Sequence, residues 1–283
     1  MRVEIRRRET QVVLSDLGER YRRSWLPPES TRVLILVHGF AEHTGRYDEM
    51  AMYFSRRGFA VHAYDQAGHG RTVGARGHVD RFDRLVEELA RFIELVGLDH
   101  PGLPITLVGH SMGGLVVAAA AAFARPHVDR IILSGALLHL AGGGLRRRLS
   151  LSLARVLSVL APRIGLTTGL DPTGLSRDPE VVRRYRDDPY VEDRMSTRFA
   201  AGLNQLVARV GAAAGRVERP MLILHGEADP ICSPLGSQRF HAGLAFSLVD
   251  ASALRIYPEL RHEIFQEPER EEIWQEMLDW LDK

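Results

Sequence analysis

Short runs of apolar and β-branched residues alternate along the chain with longer stretches whose apolar positions recur at helical spacing. "VEIRRRETQVVL" and "ERYRRSWLP" alternate weakly and predict an N-terminal hairpin or a pair of edge strands. "VLILVHGF", Val33 to Phe40, is a continuous apolar run ending beside a glycine, the pattern of a central strand buried on both faces. "YDEMAMYFSRRG" predicts a helix stopped at Gly58, and "FAVHAYD" the strand after it. Leu85, Val86, Leu89, Phe92, Ile93 and Val96 share one helical face, behind Asp80 or Asp83 as the N-cap. The same rhythm gives "PITLVGH" as strand, "SMGGLVVAAAAAFA" as helix and "VDRIILSG" as strand.

From about Ala136 to Val217 the rhythm breaks. No strand is predicted there, only helical patterns separated by Gly and Pro. Alternation resumes with "PMLILHGEADP", a helix near Leu235 to Leu244, the strand "LRIYP" and a terminal helix "EREEIWQEMLDWLDK". Strands alternating with amphipathic helices predict a mostly parallel sheet flanked by helices, an α/β architecture. The chain therefore divides into a core, residues 1–136 and 218–283, split by a helical insertion at 137–217. That insertion is far longer than a plain connection. A length of 283 residues suits one large domain carrying an insertion, at roughly 150 residues per domain.

Composition removes several function classes. With 37 basic and 36 acidic side chains the formal charge is +1, so no global field attracts nucleic acid. A single cysteine, Cys232, rules out an intramolecular disulfide and a Cys-rich zinc site. It reads as a small buried apolar residue, or as a thiol close to the site whose modification blocks it. His38, His43, His69 and His78 lack the paired helical spacing of metal ligands, and no metal or organic cofactor is expected. In "DQAGHGRTVG", Gly68, Gly70 and Gly74 do not fit Gly-x-Gly-x-x-Gly and no helix opens there, so the loop reads as structural. "MRVEIRRRET" lacks the apolar core of a signal peptide, and "LSLSLARVLSVLAPRIGL" is interrupted by Arg155 and Arg163. The expectation is a soluble, cytoplasmic protein.

The chemistry gathers around "GHSMGG", where a strand becomes a helix. Gly109 and Gly113 flank Ser111 as Gly-x-Ser-x-Gly, the pattern of the nucleophile elbow of α/β-hydrolases. Small flanking residues are needed because the strained turn brings backbone against backbone. A serine hydroxyl needs a general base, itself oriented by a carboxylate. Of twelve histidines, His262 follows the strand "LRIYP" on a short loop, in the order Ser, acid, His. Asp229, in the turn after "MLILHG", is the expected acid, with Glu227 the weaker candidate. The backbone N–H groups of Met112, next to the nucleophile, and of Phe40, on the loop after "VLILVHGF", are the expected oxyanion donors.

At this point the sequence resembles the monoacylglycerol lipase and lysophospholipase branch of α/β-hydrolases, from about Trp25 to the C-terminus. The resemblance rests on "HGFAEHTGRYDEMA", "DQAGHGRTVGARGHV", "GHSMGG", "LSRDPEVVRRYRDDPYV", "LHGEADPICSP" and "YPELRHEIFQEP". It implies Ser111, Asp229 and His262 as the triad and Phe40 and Met112 as the oxyanion hole. It further implies a helical cap inserted between the sixth and seventh strands, with the acyl chain beneath it. Glu42, His43, Arg46 and Tyr47 either contact a polar head group or fix their loop through a salt-bridge network. Glu42, His110 and Tyr185 are taken as candidate substrate contacts. The implied reaction is hydrolysis of monoacylglycerols. Lysophospholipids and short-chain carboxylic esters are the nearest alternatives, and an acyltransferase or a non-catalytic ligand-binding module lies further off. A serine at 111 excludes the carboxylate nucleophile of a dehalogenase or epoxide hydrolase.

The insertion adds one further feature. Leu145 to Gly165 holds five arginines and no acidic residue, and Leu145, Leu149, Leu153, Val156, Leu157 and Leu160 share a helical face. Such a face either covers the active site or lies in a membrane interface with its arginines at anionic head groups. The expected partner is a small lipid ester. The oligomeric state is left open.

Overall fold

The computed structural model describes residues 4–139 and 156–283. Its centre is an eight-stranded sheet in the order β1-β2-β4-β3-β5-β6-β9-β10. The strands are β1 (Arg6–Val13), β2 (Glu19–Leu26), β3 (Arg32–Val37), β4 (Phe59–Tyr64), β5 (Ile105–His110), β6 (Arg130–Ser134), β9 (Met221–Gly226) and β10 (Ala253–Tyr257). Only the β1–β2 and β2–β4 pairings are antiparallel; the remaining five are parallel. The predicted α/β architecture is the one observed.

Both faces of the sheet are covered, which is why β3 reads as an unbroken apolar run. Val33, Ile35 and Val37 pack on one face with α2 (Asp83–Asp99) and α3 (Met112–Ala119). Leu34 and Leu36 pack on the other with α1 (Asp48–Ser55) and α7 (Arg270–Leu281). The period of two along the strand thus feeds two separate cores. β1 is the exception: it is an edge strand, largely exposed and arginine-rich, a composition that discourages pairing with another chain.

Two local expectations differ from the structure. Asp83 is the first helical residue of α2, behind Phe82, and no side chain caps the helix. Asp80 instead pairs with His78. An acidic residue in the first turn favours the helix through its dipole without serving as the cap.

The second difference lies in the segment between β6 and β9, which leaves the sheet between its sixth and seventh strands. It contains helical residues 156–160, then β7 (Gly165–Thr167), α4 (Pro179–Asp187), β8 (Arg194–Ser196) and α5 (Thr197–Gly211). β7 and β8 form a two-stranded antiparallel ribbon where no strand was expected. Three residues are too few to show a period, and the ribbon depends on tertiary support. Ser196 N donates to Gly77 O at 2.9 Å, and a Cβ on Gly77 would fall 2.0 Å from the Arg194 carbonyl oxygen. The glycine-rich loop after β4 is therefore structural, as expected, and its task is to seat this ribbon. Helix α4 starts at a local signal: Asp178 accepts from Glu180 N and Pro179 follows at the first helical position. Helix α6 (Pro234–Ala242) runs between β9 and β10.

Candidate active site

Ser111 sits between β5 and α3 with φ +53° and ψ −119°, a strained conformation for a residue with a side chain. The flanking sequence makes that turn sterically feasible. A Cβ on Gly109 would lie 2.6 Å from Gly113 O, and one on Gly113 would lie 2.2 Å from Val37 O and 2.4 Å from His38 O. The elbow is wedged against the end of β3, and only glycine fits the wedge. Because α3 begins at Met112, its amide is a first-turn donor without an intrahelical acceptor. Met112 and Phe40 both line the cavity into which Ser111 opens.

His262 and Asp229 arrive from loops after β10 and β9. His262 Nε2 lies 2.9 Å from Ser111 Oγ, and His262 Nδ1 lies 2.7 Å from Asp229 Oδ2. Asp229 Oδ1 accepts from the amides of Ile231 and Cys232, at 2.8 and 2.9 Å. Glu227, the competing acid, is exposed and stands outside this line. All three members of the line are buried. Burial pushes the Asp229 carboxyl up, but the neighbouring His262 and the hydrogen bonds from His225, His262 and Cys232 N hold it well below the carboxylate range. Burial pulls His262 down, and the Asp229 charge and hydrogen bond outweigh it, so the imidazole is raised above its ordinary 6.5.

His225 escaped the sequence reading. Its Nε2 faces two acceptors, Asp229 Oδ2 at 3.1 Å and Cys232 O at 3.0 Å, so it carries its hydrogen there. Its Nδ1 accepts from Ser237 Oγ at 2.7 Å. A histidine within the fully buried strand "MLILHG" is the signal that could have found it.

The three candidate substrate contacts, Glu42, His110 and Tyr185, all line the same cavity. Glu42 is also structural: Oε1 accepts from Gly39 N at 2.5 Å and from Tyr47 Oη at 2.8 Å, and Oε2 from Arg46 at 3.2 Å. Arg46 forks onto Glu263 at 2.5 and 2.8 Å and stacks its guanidinium 4.8 Å from the Tyr185 ring. The loop-fixing network is thus present, and it pins the turn carrying Phe40. His43 belongs to a different contact, with Asp188 at 2.8 Å at the end of α4. His110 rests on Ser134 O at 3.1 Å with its ring 4.8 Å from that of His262. Burial, then the His262 charge, drives His110 down to about 3. Cys232 is fully buried in the cavity wall, with its thiol pushed up by burial.

Asp229, Cys232 and His262 also bring three metal-ligating atoms within 4.8 Å of one another. Both ring nitrogens of His262 are already engaged at hydrogen-bond separations, Nδ1 by Asp229 Oδ2 at 2.7 Å and Nε2 by Ser111 Oγ at 2.9 Å.

The cavity has a volume of about 680 Å³, and its wall is mostly apolar, with Leu137, Leu175, Leu203 and Ile231 among the lining residues. Of the apolar face predicted along 145–160, Leu145, Leu149 and Leu153 lie outside the described residues. Its described members do not line the cavity: Val156 and Leu160 are exposed and Leu157 is half-buried, and Val159, Ile164 and Leu166 nearby are exposed as well. Among the described residues no helix is long and apolar enough to cross a membrane.

Known proteins are similar to this chain in sequence and fold. The chain is 36% identical over 259 residues to the monoacylglycerol lipase of Mycolicibacterium smegmatis, covering 91% of this chain and 90% of that protein. The crystal structure of the Paleococcus ferrophilus monoacylglycerol lipase matches at 32% identity and a TM-score of 0.80, over 93% of this chain and 98% of the other. A soluble variant of the Saccharomyces cerevisiae monoglyceride lipase, solved with a substrate analog, matches at 25% identity and a TM-score of 0.84, over 100% and 96%. Residues 28–269 match the Hydrolase_4 family, described as serine aminopeptidase, S33. With its mostly parallel sheet presenting Ser111, Asp229 and His262 at the carboxyl ends of β5, β9 and β10, the chain belongs to that family of α/β-hydrolases.

Proposed function

We propose that this protein is a serine esterase that hydrolyses monoacylglycerols to fatty acid and glycerol through an acyl-enzyme on Ser111. The observation that carries the reading is the continuous line Asp229–His262–Ser111, at 2.7 and 2.9 Å, opening into an apolar-walled cavity. His262 takes the Ser111 proton as the hydroxyl attacks the ester carbonyl, and Asp229 holds the imidazole and stabilises its cation. The amides of Phe40 and Met112 receive the oxyanion, donors worth about 3 kcal/mol each. His262 then protonates the leaving alcohol, and water, activated by the same imidazole, releases the fatty acid.

The head-group end of the cavity supports a neutral substrate. Three carboxylates, Glu42, Glu263 and Asp171, line the cavity, against one cation, Arg261. The neighbouring guanidiniums are committed: Arg46 to Glu263 and Glu42, Arg261 to the carbonyls of Thr173 and Ser176. Glycerol hydroxyls find acceptors at Glu42, His110 and Tyr185, whereas a phosphate meets carboxylates. Residues 137–217 act in this reading as a cap over the acyl chain, and residues 1–136 with 218–283 as the catalytic core. The exposed Val156, Val159, Leu160, Ile164 and Leu166 beside exposed Arg163 support contact between the cap and a membrane surface.

The test is hydrolysis of a panel of monoacylglycerols, lysophospholipids and p-nitrophenyl esters, with Ser111→Ala as control. Monoacylglycerol should exceed lysophosphatidic acid in kcat/KM by about 100-fold, the order set by like charges juxtaposed in a desolvated site. Equal rates would overturn the head-group assignment. The Ser111→Ala variant should lose about a million-fold in kcat, and retained activity would remove the nucleophile.

A further inference from the structure

The loop that carries His262 is not held by the sheet alone. His262 N donates to Gly174 O at 3.4 Å and Glu263 N to Leu175 O at 2.8 Å, so the inserted segment pairs with the backbone of the general base. Gly174 also packs against the ring of Pro230, the residue after Asp229, where a Cβ would come within 2.6 Å. One side chain locks this three-way junction. Glu267 is fully buried; its Oε1 accepts from Arg261 N at 2.8 Å, and its Oε2 accepts from Arg177 N at 2.9 Å and Ser176 Oγ at 3.1 Å. The Arg177 guanidinium approaches the same oxygen at 3.4 Å and also pairs with Glu269. A buried carboxylate is tolerated only when such donors surround it. Here every donor belongs either to the insertion or to the residue before His262.

We infer that Glu267 is a positioning residue for the reaction, clamping residues 174–177 of the insertion to the His262 loop so that the insertion completes the frame of the triad. The inference rests on the triad reading above. In consequence, the 174–177 end of the insertion stays fixed during turnover, and any opening of the cap takes place elsewhere.

Glu267→Gln exchanges an acceptor for a donor at the clamp with little change of volume. The full chain is assayed with p-nitrophenyl acetate, which is too short to need the acyl cavity, and with monolauroylglycerol, each rate divided by sites titrated with a fluorophosphonate. Per-site kcat should fall about 10- to 100-fold on both substrates, the scale of an ångström-sized displacement of a reacting group. KM for the acetate should stay within about twofold, since the displaced group does not bind substrate. The acid limb of the pH profile should move to lower pH as the Asp229–His262 contact loosens. Per-site kcat and an acid limb equal to those of the parent protein would overturn the proposal, because a purely structural role lowers only the number of titratable sites. If Glu267→Gln does not fold, Glu267→Asp withdraws the oxygens by one methylene, and an unchanged per-site kcat overturns the proposal equally. An active Ser111→Ala control would instead sink the triad reading, so the two failures are distinguishable.

Discussion

Ser111 is held in a backbone conformation its side chain disfavours, and the wedge around it is the reason Gly113 cannot grow. Gly113→Ala places a methyl 2.2 Å from Val37 O, so β3 and the elbow must part. Activity per folded molecule should then fall by about 100-fold through misplacement of the nucleophile; wild-type kcat in the purified variant would refute this. His262 must be neutral to accept a proton, so rates should fall with acid, with a midpoint above 6.5 because Asp229 raises its pKa. His110, driven down to about 3, does not titrate in that range, and His110→Gln should keep the same acid limb. Asp229→Asn should move the limb to lower pH and cost about 10⁴ in kcat. Cys232 is fully buried with a raised thiol pKa, so iodoacetamide should react slowly at neutral pH. Once attached, the added group would occupy the space beside Ser111 and abolish turnover. Full activity after complete, mass-verified alkylation would refute that.

The insertion is anchored by contacts between whole elements. Phe199 of α5 stacks on Phe82 and Phe40, His78 bonds Ser196 at the end of β8, and His43 bonds Asp188 beyond α4. The last contact is half-sheltered, and its loss in Asp188→Ala should cost about 1 kcal/mol of stability. Because it holds α4 and hence Tyr185, the same variant should raise KM for a long-chain monoacylglycerol while leaving kcat for p-nitrophenyl acetate unchanged. An unchanged KM would show that α4 is held by its other contacts alone. These anchors were only partly legible. Helix α4 could be read from Asp178-Pro179, a local signal, whereas the ribbon could not, because three-residue strands are specified by the glycine loop they dock against.

The whole molecule has no net field to speak of, and its charge matters only where it is concentrated. The segment from 145 to 165 combines five arginines with apolar positions, and its described part turns Val156, Val159 and Leu160 outward. Binding to anionic liposomes should therefore be measurable by co-sedimentation. It should weaken in Arg146→Glu/Arg147→Glu/Arg148→Glu, by about 1 kcal/mol for each cation lost near the surface. Equal binding by the triple variant would assign the exposed face to another partner.

The sequence by itself determined the α/β layering, the elbow at Ser111 and the order of acid and base, because these depend on short-range periodicity and local turn chemistry. It left Asp229 against Glu227 to preference, and it placed neither His225 behind the acid nor Glu267 between the insertion and the His262 loop. Only the tertiary structure shows those contacts, with Asp229 facing His262 and Glu227 exposed. A carboxylate's role follows from which donors surround it and whether water is excluded, and the donors around Asp229 and Glu267 come from as far as 91 residues away in the chain. The one local clue, a polar residue buried inside an apolar strand or loop, says that a partner must exist without saying which.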